Sequence, residues 1–210
     1  MNAPLLIGHR GLPARFPDNS LAGVRAALTA GADGVEVDVR LCVEGDWVCH
    51  HDRSRGGRSV RSSPLRELRR AGVATLAEMV AAVGDHWLFV EVKPLPARDL
   101  DAATPELISL LVPRAHTTKV LSSSPLVLGR VEAALPGVGR SLVFAEIPTW
   151  LPLGVELSPR HTLVEALLGE GRSLHPWTVD RPGRQRELIA LGVASLTTND
   201  VVRAVETLRG

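Results

Sequence analysis

The chain has no tyrosine, three phenylalanines, two cysteines and, among its 24 basic residues, only two lysines, Lys93 and Lys119. With aromatics at 3%, it offers few side chains for a lipid-facing surface, where aromatic rings are favoured. Nowhere does an apolar run approach the roughly 18 to 20 residues a membrane span needs. The opening residues MNAPLLIGHRG carry neither a basic segment nor an apolar leader core, so nothing marks secretion, and a cytoplasmic protein is expected. Cys42 and Cys49 suit a reduced compartment and are expected to be inert thiols, although a hairpin could bring them face to face. A formal net charge of +1 argues against a nucleic-acid partner. There are no low-complexity segments and no evident repeats. The oligomeric state is not legible.

What is present is alternation. Short apolar runs recur at 5–9, 34–39, 87–93, 119–123, 141–145, 154–158, 174–179 and 194–199. Between most of them lie stretches with apolar residues at three- and four-residue spacing, such as 19–31, 75–84, 105–112, 125–135, 161–171, 184–192 and 200–210. Asp18, Asn19 and Ser20 are cap candidates for the first helix, and 145–153 lacks a clear helix. Alternating strands and helices predict parallel strands covered on both faces. Eight strands in 210 residues fit a compact (β/α)8 barrel forming one domain over 1–210. A doubly wound open sheet is the alternative, but it usually announces itself with a Gly-rich phosphate turn that this chain lacks.

The stretch GVEVDVRLCVEGDWVCHHD, residues 34–52, gives the first chemical signal. Side chains alternate along a strand, so Glu36 and Asp38 share one face while Val35, Val37 and Val39 share the other. A turn centred on Glu44-Gly45 would make a hairpin extension and set His51 opposite Asp38. In barrels, functional groups sit at strand C-termini. Those ends supply His9 and Arg10, then Glu36 and Asp38, then Glu91 and Lys93. Three converging carboxylates repel unless a cation neutralises them, and oxygen-only ligation suits Mg²⁺ or Ca²⁺. Arg10 and Lys93 beside them suit an anionic substrate such as a phosphate. Two histidines can divide the work of base and acid. Arginine partners for Glu36 and Asp38, or a simple Glu91–Lys93 pair, would explain the charges one by one, but not their shared place at strand ends. His50 is expected to face away. His86, His116, His161 and His175 read as structural or surface. The basic run RSRGGRSVR reads as a solvated loop with some capacity for a further phosphate.

The pieces GHRG, PDNS, GADGVEVDV, EGDWVCHHD, FVEVK and PWTVDRP…LGVASLTTND, in that order, resemble the glycerophosphodiester phosphodiesterase family. The resemblance implies a TIM barrel and one divalent cation, Mg²⁺ or Ca²⁺. It also implies hydrolysis of glycerophosphodiesters, as small-molecule substrates, to glycerol 3-phosphate and an alcohol. By motif it makes His9 and His51 the acid/base pair, Glu36, Asp38 and Glu91 the metal carboxylates, and Arg10 and Lys93 the phosphate cations. Trp177 falls to the pocket wall, with a core tryptophan as its other reading. The chain departs from the family pattern at Asp18 and in the Cys42–Gly45 turn. The loop after Asp52 is short and the cap minimal. Ser124 stands in place of an aromatic, and Asn199 where aspartate is common. Two rivals stay open: a lysophospholipase D-like enzyme acting on lipids, and a barrel that binds phosphodiesters without turning them over.

Overall fold

The computed structural model describes residues 3–209. Met1, Asn2 and Gly210, which fall in the stretches read for a leader and for the last helix, lie outside them. Seven strands run parallel in the spatial order β10 (Ser195–Thr198), β1 (Leu5–His9), β2 (Gly34–Leu41), β6 (Trp87–Val92), β7 (Thr118–Ser122), β8 (Gly139–Phe144) and β9 (Glu156–Pro159). The eighth stave is 174–179, read from sequence as a full strand. It is held instead by single bridges, Leu157 to Leu174 and Arg160 to Trp177, and by Thr197 N–H donating to the Pro176 carbonyl. Pro176 has no N–H to give a ladder, so this stave is irregular. With it the barrel closes.

Helices α1 (Leu21–Thr29), α3 (Leu76–Val83), α4 (Ala97–Leu111), α5 (Pro125–Ala134), α6 (Val164–Leu167), α7 (Pro182–Ala190) and α8 (Val201–Arg209) surround it. The segment 161–171, read as one helix, is α6 between short 3-10 turns. Residues 145–153 are irregular, as expected. α4 begins at Ala97, eight residues before Pro105, which the sequence reading set at its start. The basic stretch after Asp52, expected as open loop, holds a two-stranded ribbon, β4 (Ser54–Arg55) and β5 (Arg58–Ser59), and the helix α2 (Leu65–Arg70). No described helix is long and apolar enough to cross a membrane.

Strand alternation divides the core. Leu6, Val35, Val37, Val39, Leu88, Val90, Val92, Val120 and Leu196 point outward into the main core beneath the helices. Ile7, Phe89 and Leu121 fill the barrel interior. The same alternation turns Glu36, Asp38 and Glu91 inward, at the upper end of the strands. Both lysines are buried in the barrel wall. Lys119 pairs with Glu156, which also meets His175, and burial pushes the lysine down to about 8.

Outside the barrel, Arg114 ties α3 to the start of β6. Its guanidinium donates to the carbonyls of Gly84 (2.8 Å) and His86 (2.5 Å), and its Nε to Thr118 Oγ1 (3.2 Å). Arg114 is buried, so Arg114→Met loses these charge-assisted bonds together, although the exposed Gly84 and His86 can turn to water. We expect a loss of about 3 kcal/mol and a melting temperature lower by about 6–12 °C, read by calorimetry.

Candidate active site

The site begins with a tight turn. β1 ends on His9, and the chain reverses through Arg10 (φ 53°) and Gly11 (φ 90°). A left-handed arginine is uncommon and costs energy. Here it aims the Arg10 backbone N–H at Glu36 Oε2 (3.1 Å) and its side chain between Asp38 Oδ2 (3.1 Å) and Asp18 Oδ2 (2.8 Å). At Gly11 a β-carbon would lie 2.7 Å from the Gly23 backbone, which is why glycine follows.

Strand register gathers the acids. His9 pairs with Glu36 across β1–β2, and Asp38 with Glu91 across β2–β6. Glu36, Asp38 and Glu91 each bring an oxygen within 4.8 Å of the others. Lys93 Nζ lies 2.6 Å from Asp38 and 2.5 Å from Glu91. Asn19, which the sequence reading made a helix cap, stands instead at φ 56° and forms two bonds with Asp38, Nδ2 to Oδ2 (3.0 Å) and Oδ1 from the Asp38 N–H (2.9 Å). Asp18, likewise read as a cap, holds Arg10, and Ser20 alone caps α1. Burial alone would raise both strand carboxyls. At Asp38 the neighbouring Lys93 and Arg10 outweigh it and hold the group below its usual range. Glu36 is pushed well above its usual range by burial and by the charges of Asp38 and Glu91.

The hairpin is displaced by one residue from the expected register. Its loop holds three residues, Val43 to Gly45, with Cys42 N–H bonded to the Asp46 carbonyl. Val39 therefore faces Cys49, and His50, not His51, lies opposite Asp38. His51 still reaches the cavity because β3 (Trp47–Cys49) ends two residues earlier and the chain bends. His50 does not line the cavity. The same register keeps Cys42 and Cys49 apart. Both are free and buried, and burial raises both thiols, Cys42 to about 11, so they are inert.

His9, Arg10, Glu36, His51, Glu91, Lys93 and Trp177 all line one cavity of about 200 Å³, with Asp38 fully buried beneath it. Trp177 is a wall of that cavity rather than a core residue, its Nε1 donating to the Ser158 carbonyl (2.8 Å). His175, read as structural, also borders the cavity. The residue sequence reasoning missed is Asp180. Its carboxylate accepts from the Asn199 backbone N–H and side-chain Nδ2, both at 2.8 Å. That bond turns Asn199 Oδ1 toward His9 Nδ1 (2.7 Å), which must then carry the proton. Nε2 is left with its lone pair, 3.9 Å from Glu36. Burial holds the His9 imidazole below its ordinary value, against the opposing bond to Asn199. His51 is fixed similarly, Nδ1 to Asp52 Oδ1 (2.8 Å).

The donor set fits a hard divalent cation. Glu36 Oε1 is buried and has no hydrogen-bond partner, so an acceptor charge faces the cluster unpaired. Carboxylate oxygens alone suit Mg²⁺ or Ca²⁺ better than a softer metal.

Comparison with known proteins agrees with this geometry. The family model for glycerophosphoryl diester phosphodiesterases matches residues 9–110, the span that carries every site residue through Lys93. A glycerophosphodiester phosphodiesterase from Caldanaerobacter subterraneus subsp. tengcongensis is 27% identical over 98% of both chains. Among solved structures, an Oleispira antarctica phosphodiesterase in complex with the product sn-glycerol-3-phosphate superposes with a TM-score of 0.87 at 19% identity, covering 99% of this chain and 98% of that one. A glycerophosphodiester phosphodiesterase from Thermotoga maritima gives 0.80 at 22% identity, over 98% and 99%. Barrel, strand-end acids and sequence likeness point one way: the chain is similar to the glycerophosphoryl diester phosphodiesterases, through the family model over 9–110 and through a relative along nearly its whole length.

Proposed function

We propose that the protein hydrolyses glycerophosphodiesters to glycerol 3-phosphate and an alcohol, using one divalent cation and the histidine pair His9 and His51. The observation that carries this is the buried, unpaired Glu36 oxygen within a three-carboxylate cluster that shares its cavity with both imidazoles. The product held by the Oleispira antarctica relative supports the substrate class.

Glu36, Asp38 and Glu91 would hold the cation. When bound, it supplies Lewis-acid stabilisation of phosphoryl charge. The remaining work falls to this chain's own groups. Arg10 and Lys93 stand where negative charge builds on the phosphate. His9 acts as base, because its proton is committed to Asn199 and its Nε2 lone pair faces the cavity. His51, tied at Nδ1 to Asp52, gives up a proton to the leaving alkoxide from Nε2. Trp177 closes the side of the cavity. We place the enzyme in the cytoplasm as one domain over 1–210, with no nucleic-acid partner.

Phosphorus NMR of glycerophosphocholine incubated with the protein and Mg²⁺ or Ca²⁺ tests the bond cleaved. Glycerol 3-phosphate with free choline is expected, and phosphocholine with glycerol would overturn the proposal. The pH dependence follows from His9. A base held below its ordinary 6.5 stays unprotonated under mildly acidic conditions, so the acid limb of kcat/KM should lie below pH 6.5. A limb above that value would remove His9 from the role.

A further inference from the structure

Lys93 is a partition. On its far side lies a second cavity of about 220 Å³, open to solvent and lined among others by Arg40, Arg53, Arg61, Trp47 and Leu95. It opens on the same end of the barrel, since Arg40 stands near the end of β2 and Leu95 just beyond β6.

Its charges are not balanced. Lys93 is satisfied by Asp38 and Glu91, and Arg61 by Asp99 (3.3 Å) and the Cys42 carbonyl (2.8 Å). Arg40 spends its Nε on the His51 carbonyl (2.9 Å), and Arg53 makes no ion pair among the described residues. The two guanidiniums are near enough to repel one another. The other arginines of the cap face away: Arg55 donates to the Ala71 carbonyl (2.5 Å) and Arg58 to Glu67 (2.7 Å). So of the basic run after Asp52, Arg53 is the residue turned to the cleft without a partner. A guanidinium fork matches a carboxylate or a phosphate, and Leu95 gives a short carbon chain an apolar wall.

We propose that this cleft receives the alcohol half of the diester, and that Arg53 with Arg40 selects alcohols bearing a second anion, a carboxylate or a phosphate. The proposal rests on the phosphodiesterase reading and names its substrate class. Lys93 lines both cavities, so a diester whose phosphate is seated at Arg10 and Lys93 can extend its alcohol half into the cleft.

Two matched substrate pairs test it. Glycerophosphoserine differs from glycerophosphoethanolamine by one carboxylate. Bis(glycerophospho)glycerol differs from glycerophosphoglycerol by a second phosphodiester on the leaving alcohol. We would measure kcat/KM with the native protein and with Arg53→Gln, and Kd by calorimetry in a His9→Gln background. The anion-bearing member of at least one pair should be favoured about tenfold, a difference of about 1.4 kcal/mol, and the preference should shrink with added salt. Arg53→Gln should abolish it while changing the members without the second anion less than about threefold, the scale of an exposed charge. The pair that responds identifies the anion. Equal constants within both pairs, or a preference that survives Arg53→Gln, would overturn the proposal. Turnover of no diester, with the Kd preference intact, would sink the hydrolase reading and leave the cleft's selectivity standing.

Discussion

Glu36→Gln should lower kcat by more than the roughly 10–100-fold that partners of metal ligands are worth, and at the same time raise the melting temperature of the metal-free protein. The two effects share a cause. Glu36 is buried, one of its oxygens has no donor, and Asp38 and Glu91 add like charge. A carboxyl whose folded-state value is raised contributes stability below its ordinary value of 4.5, and loses it as pH rises through the raised value. At neutral pH, without a cation, the carboxyl therefore opposes folding. Glutamine keeps the shape and still accepts the Arg10 N–H, but carries no charge. With Mg²⁺ or Ca²⁺ the order should reverse, because ligand at a hundredfold excess over Kd stabilises by about 2.7 kcal/mol and the variant has given up a ligand. Calorimetry at neutral pH, with EDTA and with metal, reads both. A variant less stable than the parent in EDTA, with activity retained, would make Glu36 a structural acid.

Losing either histidine should cost about 10²–10⁴ in kcat, the worth of a positioned acid or base. His9→Ala and His51→Ala together should cost less than the product of the two losses, because base and acid act as a unit in the same reaction. Asn199→Ala should reach about 10² through misplacement of His9 alone, with KM little changed. A fall confined to KM for His9→Ala would reduce the imidazole to a binding group. Circular dichroism separates these outcomes from unfolding.

The barrel was legible because its strands follow alternation strictly. β1 spans 5–9 as the apolar run does, and on β2 the valines fall to one side and the acids to the other. Glu36, Asp38, Glu91 and Lys93 could be placed together for the same reason. What could not be read depends on single residues with tertiary partners. A three-residue hairpin loop and a two-residue one look alike in CVEGD, yet the difference moves His50 into the place expected for His51. Pro176 makes an irregular stave from an apolar run that reads as a strand. Asn19 and Asp18 have the composition of caps, and only the fold shows that Asp38 and Arg10 are their partners. Asp180 lies 171 residues from His9, and nothing local marks it. The two lysines that composition singles out are both buried in the barrel wall.

The most direct measurement is glycerol 3-phosphate release by protein stripped with EDTA and then titrated with Mg²⁺ or Ca²⁺, in parallel with Glu36→Gln. Release should be absent in EDTA, return saturably with one equivalent of metal, and fail to return in the variant. Full activity in EDTA, or equal recovery in the variant, would contradict a metal-dependent site built on Glu36, Asp38 and Glu91.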